Sequence, residues 1–120
     1  MPATLYERLG GEERIKRLVA DTVDNHYLNP LIKARFEKIA DRATVERHAV
    51  EFMCAGTGGP QTYTGKDMPS AHKGMNISEQ ELVALMDDFV AAMNKNNYDQ
   101  TEINEVVAIL YSLKGDVVRV

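Results

Sequence analysis

The chain has 120 residues, of which 44% are hydrophobic and 27% charged, with a net charge of -4. That composition suits one folded domain over residues 1–120 with a single core, and excludes an intrinsically disordered chain. No apolar run is long enough to span a bilayer and no basic tract is present to neutralise phosphates, so membrane and non-specific nucleic-acid roles are excluded. The opening MPATLYERLG lacks the basic-then-apolar layout of a secretory leader, and the single cysteine, Cys54, rules out an internal disulfide framework. Both features lead to the expectation of a cytoplasmic protein.

From Glu12 to about Leu28 the residues Ile15, Leu18, Val19, Thr22, Val23 and Tyr27 recur at helical spacing, and Asn29-Pro30 closes the run. His26 falls on that inward stripe. LIKARF, residues 31–36, predicts a short helical turn ending at Phe36. A further helix from about Arg42 to Ala55 places Val45, Ala49, Phe52 and Met53 on one face, where His48 joins them. Residues 56–65, GTGGPQTYTG, contain four glycines and a proline and predict an extended loop that leads to His72.

Ser78 with Glu81 has the spacing of a capping box, opening a helix that carries Leu82, Leu85, Met86, Phe89 and Met93 until NKNN interrupts it. Asp99 with Glu102 repeats that opening, and Ile103, Val106, Val107, Leu110, Leu113 and Val117 form the next stripe. No segment alternates as a strand would. The expected fold class is all-α, with about five helices and two long ones paired antiparallel at the C-terminal end.

His26, His48 and His72 are all the imidazoles in the chain, and two of them lie on otherwise apolar helix faces. An unpaired ring nitrogen in a core costs roughly 1–3 kcal/mol, so each buried histidine needs a carbonyl, a polar partner or a metal. The spacings of structural and catalytic zinc sites are absent, and neither His48 nor His72 follows a Glu-x-x-His pattern of bundle di-iron centres. A metal that brings its own equatorial ligands needs only one proximal histidine and an apolar slot, as haem iron does. The Met and Phe positions suit such a slot or an ordinary core, and periodicity does not separate the two.

Three stretches, TLYERLGG at 4–11, VEFMCAGTGGPQTYTGKDM at 50–68 and AHKGMNIS at 71–78, together resemble the group I truncated haemoglobins, the short two-over-two globins. The likeness runs in order over nearly the whole chain. It implies an all-α, truncated globin-like two-over-two helical sandwich holding haem b, with His72 as the proximal iron ligand. It also places Phe36, Val45, Ala49, Phe52, Met53, Tyr63, Met68, Leu85 and Met86 around the porphyrin. No histidine lies in the last helix, so the haem is expected to be non-covalent.

The distal side departs from the family. Counting back from Phe36 without a gap, the place where many relatives carry a ligand-bonding tyrosine is Val23, with Tyr27 one turn later, and the usual distal leucine or glutamine positions hold Val45 and Ala49. His48 is the expected replacement, as a displaceable sixth ligand, with His26 and Tyr27 as further distal candidates. Cys54 is expected to be a packing residue, and Lys66 and Lys73 either pair with propionates or are solvated. The resemblance implies reversible binding of diatomic gases, oxygen and nitric oxide, with nitric oxide oxidation by way of an external reductase as the enzymatic form. A haem-based sensor or electron-transfer module is the alternative, and a helical domain without haem a third.

Overall fold

The computed structural model describes residues 3–39 and 41–120. Its two long helices, α2 (Gly11–Leu28) and α6 (Glu79–Lys95), make the most extensive contact in the molecule. Ile15, Leu18, Val19 and Val23 of α2 are at most 3% exposed and belong to one core with Leu82, Met86, Phe89, Ala92 and Met93 of α6. Spacings of three and four put each set on a single face, and burying them removes apolar surface from water at about 25 cal/mol per Å². α4 (Arg42–Gly56) lies against α2, and α7 (Gln100–Ser112) against α6, which gives the two-over-two arrangement.

Short elements complete the frame. α1 (Leu5–Arg8) is too brief for a periodic signal, yet it forms because Thr4 and Glu7 make a capping box, Glu7 N donating to Thr4 Oγ1 at 3.1 Å and Thr4 N to Glu7 Oε1 at 3.3 Å. The chain then reverses at Gly10 (φ 95°) and Gly11 (φ 76°), where a Cβ on Gly10 would sit 2.3 Å from the Arg14 side chain. α3 (Lys33–Glu37) follows α2, α5 (Met68–His72) follows the glycine-rich loop, and α8 (Lys114–Val117) ends the helical part.

Four expectations change. The described residues form eight helical segments rather than about five, because capped single turns escape a periodicity reading. His72 closes a short helix instead of sitting in extended chain. The predicted Asp99–Glu102 capping box does not form: Asp99 occupies the N-cap, but its side chain makes no capping bond, and the Glu102 carboxylate is taken by Arg8 at 3.0 Å. The stripe expected to run to Val117 likewise breaks, since α7 ends at Ser112 and Val117 belongs to α8. The Ser78–Glu81 box is present as expected.

Residues 118–120 fold back along the segment after α5. Val118 pairs with Ile77 in a parallel bridge, Arg119 N donates to Ile77 O at 2.9 Å, and the amides of Gly74 and Asn76 both donate to Val120 O at 3.2 Å. Among the described residues no helix is long and apolar enough to cross a membrane.

The α2–α6 seam generates a prediction. Leu18 is fully buried in it, so Leu18→Ala should lose about 2–5 kcal/mol in urea unfolding. Val83→Ala, at a side chain 47% exposed on the outer face of α6, should change stability by no more than about 0.5 kcal/mol.

Candidate functional site

A cavity of ≈ 310 Å³ opens between α2, α3, α4, α5 and α6, and it gathers the three histidines against an apolar lining. Phe36, Val45, His48, Ala49, Phe52, Tyr63, Met68, His72 and Leu85 all lie in its wall, together with His26. Its volume falls in the range of small-molecule and cofactor sites. A larger open cleft of ≈ 490 Å³ on the other side of α4 is lined by Glu12, Lys16, Glu46, Arg47 and Glu51, and contains no histidine. Charged walls of both signs suit solvent there, whereas the smaller space gathers all three imidazoles on an apolar lining and is the candidate site.

Two expected wall residues lie elsewhere. Met53 and Met86 are buried in the core, at 3% and 8% exposure, and do not reach the cavity. Each follows a wall residue, Phe52 or Leu85, and one step along a helix turns the side chain by about 100°, away from the cavity. Tyr27 also points elsewhere: its hydroxyl donates to Phe36 O at 3.4 Å, and the Arg42 guanidinium covers its ring at 5.1 Å.

His72 ends α5, whose first turn is held by Asp67, the side chain accepting from Ser70 N at 2.9 Å. Its Nδ1 lies 2.8 Å from Met68 O. A carbonyl only accepts, so Nδ1 carries the hydrogen and Nε2 is left with its lone pair. This orienting bond is the one that metal-bound histidines characteristically use. His48, half-buried on α4, has its Nε2 within 3.5 Å of the Arg47 guanidinium, a contact at the outer limit of hydrogen bonding, and its ring meets Tyr63 edge-on at 6.1 Å. Tyr63 also meets Phe52 at 5.7 Å and donates its hydroxyl to Lys66 O at 2.6 Å, which fixes the loop above the cavity.

His26 is 4% exposed and bonds Asp88 Oδ2 through Nδ1 at 2.7 Å, while its ring stacks on Phe36 at 4.8 Å. Burial holds its pKa below the ordinary 6.5, against the opposing pull of the Asp88 carboxylate. The imidazole is therefore neutral at pH 7, with the proton on Nδ1. Val19, Thr22, Val23, Ala71 and Phe89 also face the cavity. Asp88 escaped the sequence reading, although an acid three residues after the wall residue Leu85, opposite a core histidine, was a signal that buried charges come in pairs.

Among the described residues no three His, Cys, Asp or Glu side chains come together to hold a bare metal ion. The donor set is instead separated imidazoles on an apolar wall, which fits a metal carried in an organic ring.

A family model, bacterial-like globin, matches residues 4–119. The chain belongs to that family. It is 29% identical to the group 1 truncated haemoglobin of Tetrahymena pyriformis over 116 residues, 97% of this chain and 95% of the relative. The crystal structure of that Tetrahymena protein in the Fe(III) form superposes with a TM-score of 0.94 at 27% identity, covering 98% of this chain and all of the other. The Synechococcus 2/2 haemoglobin, in the cyanomet state with covalently attached haem, gives a TM-score of 0.87 at 27% identity, covering 97% and 98%. The chain is thus a truncated haemoglobin of the two-over-two kind.

In this truncated haemoglobin Arg35 ties the segment after α5 to the frame. Its Nε and Nη2 donate to the Glu81 carboxylate at 2.7 and 3.1 Å, and its Nη1 donates to Met75 O at 2.8 Å. The guanidinium lowers the Glu81 pKa, and Glu81 raises that of Arg35. One side chain on α3 thereby holds both the start of α6 and the loop three residues beyond His72. A small void of ≈ 80 Å³ bordered by Arg35, Phe36, His72 and Met75 shows how near this clamp lies to the His72 imidazole. Lys66 and Lys73 are exposed, and among the described residues their side chains make no ion pair. Cys54 is fully buried with its thiol pKa pushed up by desolvation, as a packing residue should be.

Two predictions follow from these contacts. Arg35→Met should speed amide exchange at Met75 to Ile77, with Arg35→Lys intermediate because an ammonium cannot span both partners as a fork. For His26, the unfolded chain takes up the proton near pH 6.5 and the folded chain only below that, so stability should fall as pH drops below 6.5 and be flat above it. Subtracting the pH profile of His26→Gln should isolate that slope in thermal melts between pH 5 and 8.

Proposed function

We propose that this globin holds haem b non-covalently through His72 and binds diatomic gases, oxygen and nitric oxide, on the face opposite that histidine. The observation that carries the reading is the His72–Met68 bond, which leaves the Nε2 lone pair on an apolar cavity wall. Phe36, Phe52, Met68 and Leu85 would pack on the porphyrin, and Tyr63 would border its edge. None of the three histidines lies in α7, which supports non-covalent attachment. The lone buried thiol suits a reducing, cytoplasmic setting. When bound, the iron supplies the position that a gas occupies.

The distal residues shape what is held there. Val45 and Ala49 offer no hydrogen-bond donor, so partial negative charge on dioxygen gains little stabilisation from α4. His48 is the displaceable sixth ligand. Its hold on Arg47 at 3.5 Å is weak enough to yield, and exchange of His48 for a gas would shift α4. Such an exchange is what the second reading, a gas sensor or electron-transfer module, would use. Oxidation of nitric oxide to nitrate by dioxygen is the enzymatic form of the first reading, and it requires an external reductase.

Haem titration tests the core of the reading. The unmutated chain should develop a Soret band at one equivalent, and His72→Ala should lose tight uptake but regain a coordinated spectrum with added imidazole. A chain that takes no haem, or a His72→Ala variant with an unchanged spectrum, would leave only a helical domain. Ferric protein should be low-spin and turn high-spin in His48→Leu, whereas a high-spin spectrum in both discards the distal role of His48.

A further inference from the structure

Behind the wall of the haem cavity, bonded to the wall residue His26, lies a carboxylate that gas binding does not use. Asp88 is 9% exposed on α6, between the wall residues Leu85 and Phe89. Its carboxylate accepts from His26 Nδ1 at 2.7 Å and from Asn29 Nδ2 at 3.1 and 3.3 Å, and its backbone carbonyl accepts from Asn25 Nδ2 at 3.1 Å. Three side chains of the α2 end thus converge on one residue of α6. A buried carboxylate is costly unless so partnered, and a plain core would have used an apolar residue at this position.

The arrangement sets the chemistry of His26. With Nδ1–H committed to Asp88, the other nitrogen, Nε2, offers a lone pair. No hydrogen bond to Nε2 occurs among the described residues, and the single fully occluded side-chain polar atom without a partner there is Gln61 Oε1. Nε2 therefore keeps contact with the cavity space. Phe36, stacked at 4.8 Å and 16°, and Phe89, edge-on at 6.0 Å, hold the ring in place. An acceptor in this position does nothing for dioxygen, which needs a donor, so His26 does not replace a missing distal tyrosine. It suits a ligand that arrives with a proton to lose.

We propose that the His26–Asp88 pair is a proton-accepting site that lets the cavity take up small weak acids, H–X, as their anions. The H–X bond breaks with the electron pair remaining on X, and a new N–H bond forms at His26 Nε2. The imidazolium so formed is paired with the Asp88 carboxylate, total charge is unchanged, and release of the ligand reverses the transfer. The proposal rests on the haem reading, because ferric iron supplies the positive charge that retains X⁻. The other titratable groups on the cavity wall are less suited. On the proposed reading His48 and His72 are committed to the iron, Tyr63 donates its hydroxyl to Lys66 O, and α3 presents Phe36 to the His26 ring.

Hydrogen cyanide, neutral near pH 7, is the probe, added to the ferric holoprotein in a His48→Leu background so that His48 does not compete. Carbon monoxide, added to the ferrous form, brings no proton and reports steric access. His26→Leu and Asp88→Asn should each slow cyanide association on the order of 10²-fold more than they alter carbon monoxide association, which reports any change in the shape of the wall. Their residual cyanide rates should rise with pH as free cyanide ionises, while the unmutated dyad should give a flatter profile above the His26 pKa. Unchanged cyanide rates, or equal slowing of both ligands, would overturn the proposal. Nitrogen-15 NMR of His26 in the unmutated chain without haem reads the dyad independently: a protonated Nδ1 and bare Nε2 at pH 7 are expected, and the opposite tautomer overturns it. Failure to take up haem would show instead in the Soret titration, with the NMR result unaffected.

Discussion

A single hydrogen bond, 2.8 Å from His72 Nδ1 to the carbonyl of Met68, governs the rest of the site. It selects the tautomer and aims the ring, and it can form only because α5 gives its first and last residues the i, i+4 spacing of a helical turn. α5 is five residues long and could not persist alone. Its N-terminus is capped by Asp67, and the chain beyond it is held by Arg35 and by residues 118–120. The short helix is thus stabilised from both sides by elements distant in sequence, and a locally weak segment becomes a defined mount for an imidazole.

The cavity has two polar regimes. The α4 side presents Val45 and Ala49 with no donor, and a histidine loosely engaged by arginine. The α2–α6 side presents an imidazole fixed by a buried carboxylate and two aromatic rings. In a low-dielectric site the direction of each proton matters more than the mere presence of a polar residue, because solvent cannot reverse it. A loosely held His48 fits exchange with a ligand, whereas a rigid His26 fits proton transfer without movement. As proposed, these would be separate tasks in one space, and a globin frame can host several chemistries.

Family membership and the two-over-two frame account for where the residues stand, and local substitutions account for how this member differs. The α2–α6 seam carries the frame. It also brings Asp88 against His26, so the same packing that stabilises the protein positions the dyad. Arg35 similarly serves both ends, linking α3 to α6 while restraining the loop after His72.

Much of this was legible in the linear chain. The stripes of α2, α4, α6 and α7 follow from apolar spacing, because a helix converts sequence intervals of three and four into one face without outside help. The Ser78–Glu81 cap and the glycine-rich loop were also readable from local residue types, and motif resemblance pointed to His72, which the fold brings to the cavity wall. Met53 and Met86 were misplaced because adjacent helical residues face different neighbours, and only packing says which neighbour is the cavity. The Asp99–Glu102 box failed to form in the presence of a distant Arg8, and α5 and α8 were too short to display a period. The His26–Asp88 pair, separated by 62 positions, lay beyond any local pattern. Sequence alone determined the long helices and nominated the histidines, since both depend on residue type and near-neighbour spacing; tertiary structure decided which nitrogen each histidine offers, since that depends on partners brought together only by folding.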